Sequence, residues 1–179
     1  MPRVVVYLDE VRCHDTEDKT GKDDVYVIGA VKTSDSKTSE GFVTRPINID
    51  DDETLKFGPG GGYVFDEQLP RNGLFQIEMT ALDEDTAKTA SDYEQAKKAI
   101  DKALATVPNP RVAAVGSLTV EAADAAVRLD KDDELGTLLK PFSVSQIPDG
   151  WTLHRWDFEE EGLGWSTWKY EILYWVGKF

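Results

Sequence analysis

Residues 11–31 read VRCHDTEDKTGKDDVYVIGAV and are the most informative part of the sequence. Two apolar segments flank a loop that is rich in acidic residues and contains one glycine. Carboxylates this close together repel one another unless a cation or solvent offsets their charge. Hard divalent cations bind several oxygen ligands, and a short loop can direct carboxylates toward one of them. The loop therefore predicts either a metal site or a costly solvated turn between two β-strands.

The composition of the chain limits what it can bind. Its 179 residues are enough for one domain with a substantial core, so a single domain over 1–179 is expected. The net charge of −14 and the absence of a Lys/Arg run disfavour nucleic acid, and also anionic lipid unless cations intervene. Cys13 is the one cysteine, which excludes an intramolecular disulfide, and it is predicted to be a small buried side chain.

The location of the protein is predicted from segments that the sequence lacks. No apolar run approaches the length of a transmembrane helix, and no signal-peptide pattern precedes the first strand. We therefore expect a cytoplasmic protein, or one exported without a classical signal peptide.

Most of the chain has the alternation and the β-branched or aromatic content of strands. Residues 3–13 and 25–32 are predicted to pair, and residues 42–49 form a third strand in which Pro46 marks an edge or bulge. Residues 74–82 alternate so regularly that a half-buried antiparallel strand is expected. Further strands are predicted at 63–65, 135–145, 151–158 and 165–176. The last is apolar on both faces, as expected in the middle of a sheet.

A helical period interrupts the strands. Residues 89–107 carry apolar side chains three or four positions apart, and residues 120–129 form an Ala-rich segment that begins with a favourable cap. The sequence thus predicts a mainly β protein, an antiparallel β-sandwich with an inserted helical pair at about 86–129. The apolar stripes of these helices either pack on the sandwich or contact a partner protein.

Two acidic motifs resemble the calcium loops of C2 domains. Residues 18–27, DKTGKDDVYV, are similar to the first loop of that family, which characteristically reads Asp-x-x-Gly-x-Ser-Asp-Pro-Tyr-Val. Asp23 here replaces the usual Ser, and Val25 the usual Pro. The third loop of the family opens with Asp-x-Asp after a strand and closes with Asp-x-hydrophobic-Gly. Residues 82–85 (LDED) and 133–136 (DELG) fit these two parts, although residues 86–132 separate them.

The resemblance implies a C2-like fold that binds Ca²⁺. It implies calcium ligands at Asp18, Asp24, Asp83, Asp85 and Asp133. Possible additional ligands are Asp15, Asp23 and Asp130. Solvated neighbours are the simpler interpretation for Asp15, Glu17 and Asp132.

The resemblance also implies what the protein does. We expect a Ca²⁺-binding interaction module that contacts phospholipid or a protein partner, and no enzyme, because His14 and His154 lack any accompanying nucleophile motif. One alternative is a calcium-stabilised structural domain of a secreted or toxin-type protein. The other is a carbohydrate-binding sandwich in which Trp165 and Trp168 of the terminal strands contact sugar.

Overall fold

Ten β-strands and one α-helix make up the described part of the fold. The computed structural model describes residues 1–16, 21–34, 38–58, 62–84, 88–106, 132–161 and 167–179. The elements in chain order are β1 (Arg3–Asp15), β2 (Asp23–Thr33), β3 (Glu40–Val43), β4 (Ile47–Ile49), β5 (Thr54–Lys56), β6 (Tyr63–Gln68), β7 (Leu74–Asp83), α1 (Ala90–Thr106), β8 (Asp133–Ser143), β9 (Gly150–Glu161) and β10 (Thr167–Lys178).

The strands form two antiparallel sheets. Sheet A has the order β5-β1-β10-β9, with β6 also paired to β1, and sheet B has the order β3-β2-β7-β8, with β4 also paired to β2. Each sheet therefore has four strand positions, and one edge position in each is shared by two short strands. The predicted antiparallel β-sandwich is confirmed.

The predicted pairing of the first two strands is wrong. β1 pairs with β10, β5 and β6, whereas β2 pairs with β3, β4 and β7 in the other sheet. The acidic loop between them is consequently a crossover from one sheet to the other rather than a hairpin turn. Strand propensity does not distinguish these connections, because it carries no information on which sheet a strand joins.

Side chains from the inner faces of both sheets form the core. Val4, Val6 and Leu8 of β1 meet Val25, Val27 and Val31 of β2 and Ile77 and Met79 of β7 in one buried cluster. Each fully buried aliphatic or aromatic side chain contributes about 1.5–3 kcal/mol. β10 supplies Tyr170, Ile172, Tyr174 and Val176 to the same cluster, and it lies between β1 and β9. Its predicted place in the middle of a sheet is confirmed.

The strand β7 differs from its prediction on its polar face. The alternating apolar residues do face the core, but Gln76, Glu78 and Thr80 are buried as well. Glu78 forms a buried ion pair with Lys32 of the neighbouring strand. Burying a charge is costly unless it is paired, so this ion pair is compatible with a polar face of β7 that is internal rather than solvated.

The helix α1 covers the outer face of sheet B. The predicted helix 89–107 is confirmed within one residue at each end. Thr89 precedes it, and Asp92 accepts hydrogen bonds from the Thr89 amide and hydroxyl at 2.7 and 2.8 Å, so Asp92 makes the return bond of a capping box. Its buried stripe, which contains Tyr93, Ala96, Ile100 and Leu104, packs against Tyr26, Ile28, Ala30 and Leu82.

Only one helix of the expected pair can be assessed. The second predicted helix, 120–129, lies outside the described residues, and α1 is the one α-helix within them. No helix in the described ranges is both long enough and apolar enough to cross a membrane.

Proline divides the predicted strand 42–49. Two strands, β3 and β4, replace it, and both pair with β2. Between them Thr44 still binds β2, since its amide donates to the Val27 carbonyl at 2.9 Å and its hydroxyl accepts from the Val27 amide at 2.8 Å. Pro46 has no N–H to donate, so it interrupts the backbone hydrogen bonds to β2, as the sequence predicts for an edge or bulge.

Candidate metal centre

The strand register gathers five aspartates at one end of the sandwich. β1 ends at Asp15, β2 begins with Asp23 and Asp24, β7 ends at Asp83 and β8 begins at Asp133. Because the sheets are antiparallel, these strand ends share one end of the molecule. We call this end the acidic pole, defined by Asp15, Asp23, Asp24, Asp83 and Asp133.

Three of the predicted calcium ligands lie at the same end of sheet B. The Asp24 amide donates to Asp83 Oδ1 at 2.7 Å, and Asp83 lies directly opposite Asp133 in the β7–β8 ladder. The Asp24 carboxylate accepts a hydrogen bond from the Asn48 amide at 2.9 Å. Opposed residues of an antiparallel pair have Cβ atoms about 4.5–5.5 Å apart. Asp83 and Asp133 are thus cross-strand neighbours, and the Asp24 backbone adjoins them, whereas the Asp24 carboxylate lies beside Asn48.

The other two aspartates of the pole belong to different surroundings. Asp23 is 1% exposed and accepts a hydrogen bond from the Tyr170 hydroxyl, which crosses from sheet A to sheet B. Burial, followed by the hydrogen bond to Asp23, raises the pKa of Tyr170 well above its usual value. Asp15 is exposed in sheet A and accepts from the Thr167 hydroxyl at 3.0 Å. Asp23 therefore connects the two sheets, and Asp15 lies beside β10.

The remaining candidates cannot be placed. Asp18, Asp85 and Asp130, together with Glu17, lie outside the described residues. Among the residues that are described, no group of three or more His, Cys, Asp or Glu side chains is arranged to hold a metal ion. Two of the five ligands implied by the family resemblance, Asp18 and Asp85, are not among these residues.

A buried cluster of ion pairs lies beside Asp83 and Asp133. Lys88 donates to Asp132, and its ammonium is 3.8 Å from Glu84 Oε1 and 5.6 Å from the centre of the Tyr26 ring. The Tyr26 hydroxyl also donates to Asp132, at 2.5 Å. The Tyr93 hydroxyl of α1 donates to Glu84. A fixed ammonium group therefore compensates two carboxylates immediately beside Asp83 and Asp133.

This cluster corrects one prediction from the sequence. Asp132 was expected to be solvated, but its side chain is 0% exposed. Burial, then the hydrogen bond to Asp132, raises the pKa of Tyr26, so its hydroxyl stays protonated as a donor. Tyr93 is shifted in the same direction by burial and by Glu84, which raises its pKa. Lys88 and Asp132 are far apart in sequence, so no local pattern could pair them.

A second acidic turn, residues 50–53, lies at the same end and was not predicted as part of the site. Asp51 accepts hydrogen bonds from the Thr16 amide and hydroxyl at 2.8 and 2.9 Å. The Lys22 ammonium lies 3.3 Å from Glu53 and 3.9 Å from Asp50. The run DDDE at 50–53 is an acidic cluster after a strand, like those chosen as candidates, and that signal could have found it. This turn therefore contacts both ends of the β1–β2 crossover.

Three other side chains of interest, Cys13, His154 and Trp168, pack against neighbouring residues of the fold. Cys13 is buried as predicted, and burial raises the pKa of its thiol to about 12. His154 stacks on Tyr174 with ring centres 5.2 Å apart, and burial lowers its pKa. Trp168 is half-buried and its indole N–H donates to the Leu135 carbonyl at 2.9 Å, which connects β10 to β8. Trp165 lies outside the described residues.

Comparisons with known proteins give no family and no curated relative. No family model matches the chain. No curated protein matches it either.

Among solved structures, the chain is similar to C2 domains. One is titled as the structure of a C2 domain, with 14% identity, a TM-score of 0.44 and coverage of 99% of this chain and 98% of that chain. Another is a C2 domain of plant extended synaptotagmin 1, at 13% identity, a TM-score of 0.38 and coverage of 99% of this chain and 95% of that chain.

A third similar structure is a longer protein, the human GIVD cytosolic phospholipase A2 in complex with methyl gamma-linolenyl fluorophosphonate. It has 15% identity and a TM-score of 0.42, and the match covers 99% of this chain but 17% of that one. At these identities and scores the similarity assigns neither a ligand nor an activity to this chain.

Proposed function

We propose that this protein is a Ca²⁺-binding module whose acidic pole binds phospholipid or a protein partner when calcium is present. The observation that carries the proposal is the placement of Asp24, Asp83 and Asp133 at the same end of three adjoining strands. Ca²⁺ takes six to eight oxygen ligands, and carboxylates at adjoining strand ends can supply several of them. Asp18 and Asp85 would complete the set from the neighbouring loops.

The charge of the protein explains why a cation would act as a switch. A chain with a net charge of −14 repels anionic headgroups. Bound Ca²⁺ offsets the carboxylates at the pole, so an anionic phospholipid or an acidic protein segment can approach there. Lys88 contributes a fixed positive charge beside the same carboxylates, and it limits the repulsion within the calcium-free protein.

Calorimetric titration with Ca²⁺ tests the proposed site. We expect Asp24→Asn and Asp83→Asn each to weaken Ca²⁺ binding by about tenfold or more, because each removes a charged ligand. Asp149→Asn is the matched control, since Asp149 is 93% exposed beside Lys178 at the opposite end of the sandwich. Equal affinity in all three variants and the unmodified protein would exclude these ligands.

Vesicle cosedimentation separates the possible partners. If the protein pellets with phosphatidylserine vesicles only in calcium, and Asp83→Asn abolishes this pelleting, phospholipid is identified as the partner. Stabilisation by calcium without pelleting would favour a protein partner or the calcium-stabilised structural domain. Pelleting that is equally strong in EGTA would contradict the switch.

A further inference from the structure

The outer face of sheet A carries a group of aromatic side chains that the candidate metal centre does not use. Tyr63, Tyr7, Trp175 and Leu153 lie in register across the four adjacent strands β6, β1, β10 and β9. Adjacent strands are about 4.7–4.9 Å apart, so these side chains form a row perpendicular to the strands. We call Tyr7, Tyr63, Trp151 and Trp175 the aromatic face.

The aromatic face encloses a shallow cavity of about 320 Å³. Tyr63 is 60% exposed and Trp151 is 45% exposed, and the rings of Tyr7 and Tyr63 are 4.8 Å apart. The volume is at the lower end for small-molecule sites, which are typically lined by aromatic groups with a few polar atoms. It accommodates a ligand of one or two rings.

Contacts within the protein hold the rings of Trp175 and Trp151 in place before any ligand binds. The Trp175 indole N–H donates to Asp9 at 3.0 Å, which fixes its orientation. Trp151 lies over the backbone of Gly177, where a Cβ atom would come within 2.8 Å of the indole ring. Trp151 also packs edge-on against Phe179, with ring centres 5.3 Å apart. Exposed aromatic rings that are already ordered lose little conformational entropy on binding.

The charges around the aromatic face are compensated within the protein. Asp9, which accepts from Trp175, is 2.6 Å from the Lys56 ammonium. Because this ion pair is neutral overall, the surroundings favour an uncharged ligand over an ionic one. The paired groups still present hydrogen-bonding atoms beside the rings.

We propose that the aromatic face binds an uncharged glycan, with pyranose rings stacked on Trp151, Trp175, Tyr7 and Tyr63. The C–H face of a pyranose packs on the negative face of an aromatic ring, and its hydroxyl groups reach the polar atoms at the rim. This site lies toward the end of sheet A opposite the acidic pole, and it is independent of the proposed calcium function.

The test is calorimetric binding of cellohexaose, xylohexaose, mannohexaose and chitohexaose, each measured in calcium and in EGTA. We expect at least one to bind at millimolar or lower concentration, equally with and without calcium. Trp151→Ala and Tyr63→Ala should each weaken that binding by about tenfold or more. Leu139→Ala is the control, since Leu139 is 51% exposed on sheet B and should leave the affinity unchanged.

Three results would overturn the proposal. One is that none of the four oligosaccharides binds while circular dichroism shows the protein folded. Another is an unchanged affinity in both aromatic variants. The third is that the face contacts a second copy of the chain or phosphatidylcholine vesicles instead, seen as dimerisation or pelleting that Trp151→Ala abolishes. None of these results would bear on the calcium titration.

Discussion

Lys88 is the residue on which the local electrostatics of the acidic pole depend. Its side chain is 7% exposed, and it contacts Asp132 and Glu84 while its ammonium lies over Tyr26. Taking a charge out of water is costly unless partners compensate it. The carboxylates and the ammonium therefore stabilise one another only as a set.

Lys88→Met removes the cation from this set. Breaking a buried pair by deleting one partner typically costs about 3–5 kcal/mol, because the remaining charge stays buried. We expect a loss of that size in the free energy of unfolding measured by urea denaturation without calcium. Lys98→Met, on the exposed side of α1, is the control. A change below about 0.5 kcal/mol in Lys88→Met, the level of an ordinary surface substitution, would refute the role of Lys88.

Cys13 is predicted to be chemically inert in the folded protein. Burial raises the pKa of its thiol to about 12, so the reactive thiolate is scarce at pH 8 and reagents reach it poorly. A disulfide reagent such as Ellman's reagent should label the native protein slowly and the urea-unfolded protein at the rate of a free thiol. Rapid stoichiometric labelling without denaturant would show that the site opens.

At the scale of elements, α1 is attached to sheet B through a close contact with β3. The Gly41 amide donates to Asp101 Oδ1 at 2.8 Å. A Cβ atom on Gly41 would lie 2.5 Å from Ile100 Cγ2 and 2.9 Å from that carboxylate oxygen. The absence of a side chain at position 41 is what lets the helix approach the strand.

Gly41→Ala should separate α1 from β3. Overpacking of this kind usually costs about 1–3 kcal/mol, and we expect that loss in chemical denaturation. Gly58→Ala is the matched control, because nothing lies within 4 Å of a Cβ atom there. Equal stability of the two variants would mean that α1 tolerates displacement from the sheet.

The elements also show what the sequence could and could not predict. The helical period at 89–107 and the alternation at 74–82 placed α1 and the inner face of β7 correctly, because both patterns record a buried stripe. The outer face of β7 was predicted to be solvated, since no local pattern reveals that Lys32 and Glu78 are buried together. The β1–β2 pairing failed for the same reason, as sheet membership is decided by long-range packing.

The same limit applies to the candidate site. The motif at residues 18–27 and the two parts of the split loop indicated Asp24, Asp83 and Asp133, whose strand ends lie at one end of sheet B. The residues beside them, Lys88 and Asn48, come from distant segments. A spacing motif can indicate candidate ligands, whereas the groups that compensate and orient them appear only in the folded chain.

At the scale of the whole molecule, the sandwich separates its two proposed binding surfaces. Strand ends at the acidic pole carry carboxylates, while the outer face of sheet A toward the other end carries exposed aromatic rings. A rigid sandwich of this kind can bind a cation at one end without altering the other. We therefore expect calcium to change the local environment of the pole and to leave the distant end as it was.

The most direct test is a calcium titration followed by ¹H–¹⁵N correlation spectra of the assigned protein. We expect saturable shifts confined to the acidic pole, with the largest at Asp24, Asp83 and Asp133 and little change at Gly150 and Lys178. The absence of saturable shifts at millimolar calcium, or shifts centred on residues away from these three aspartates, would contradict the proposed calcium site.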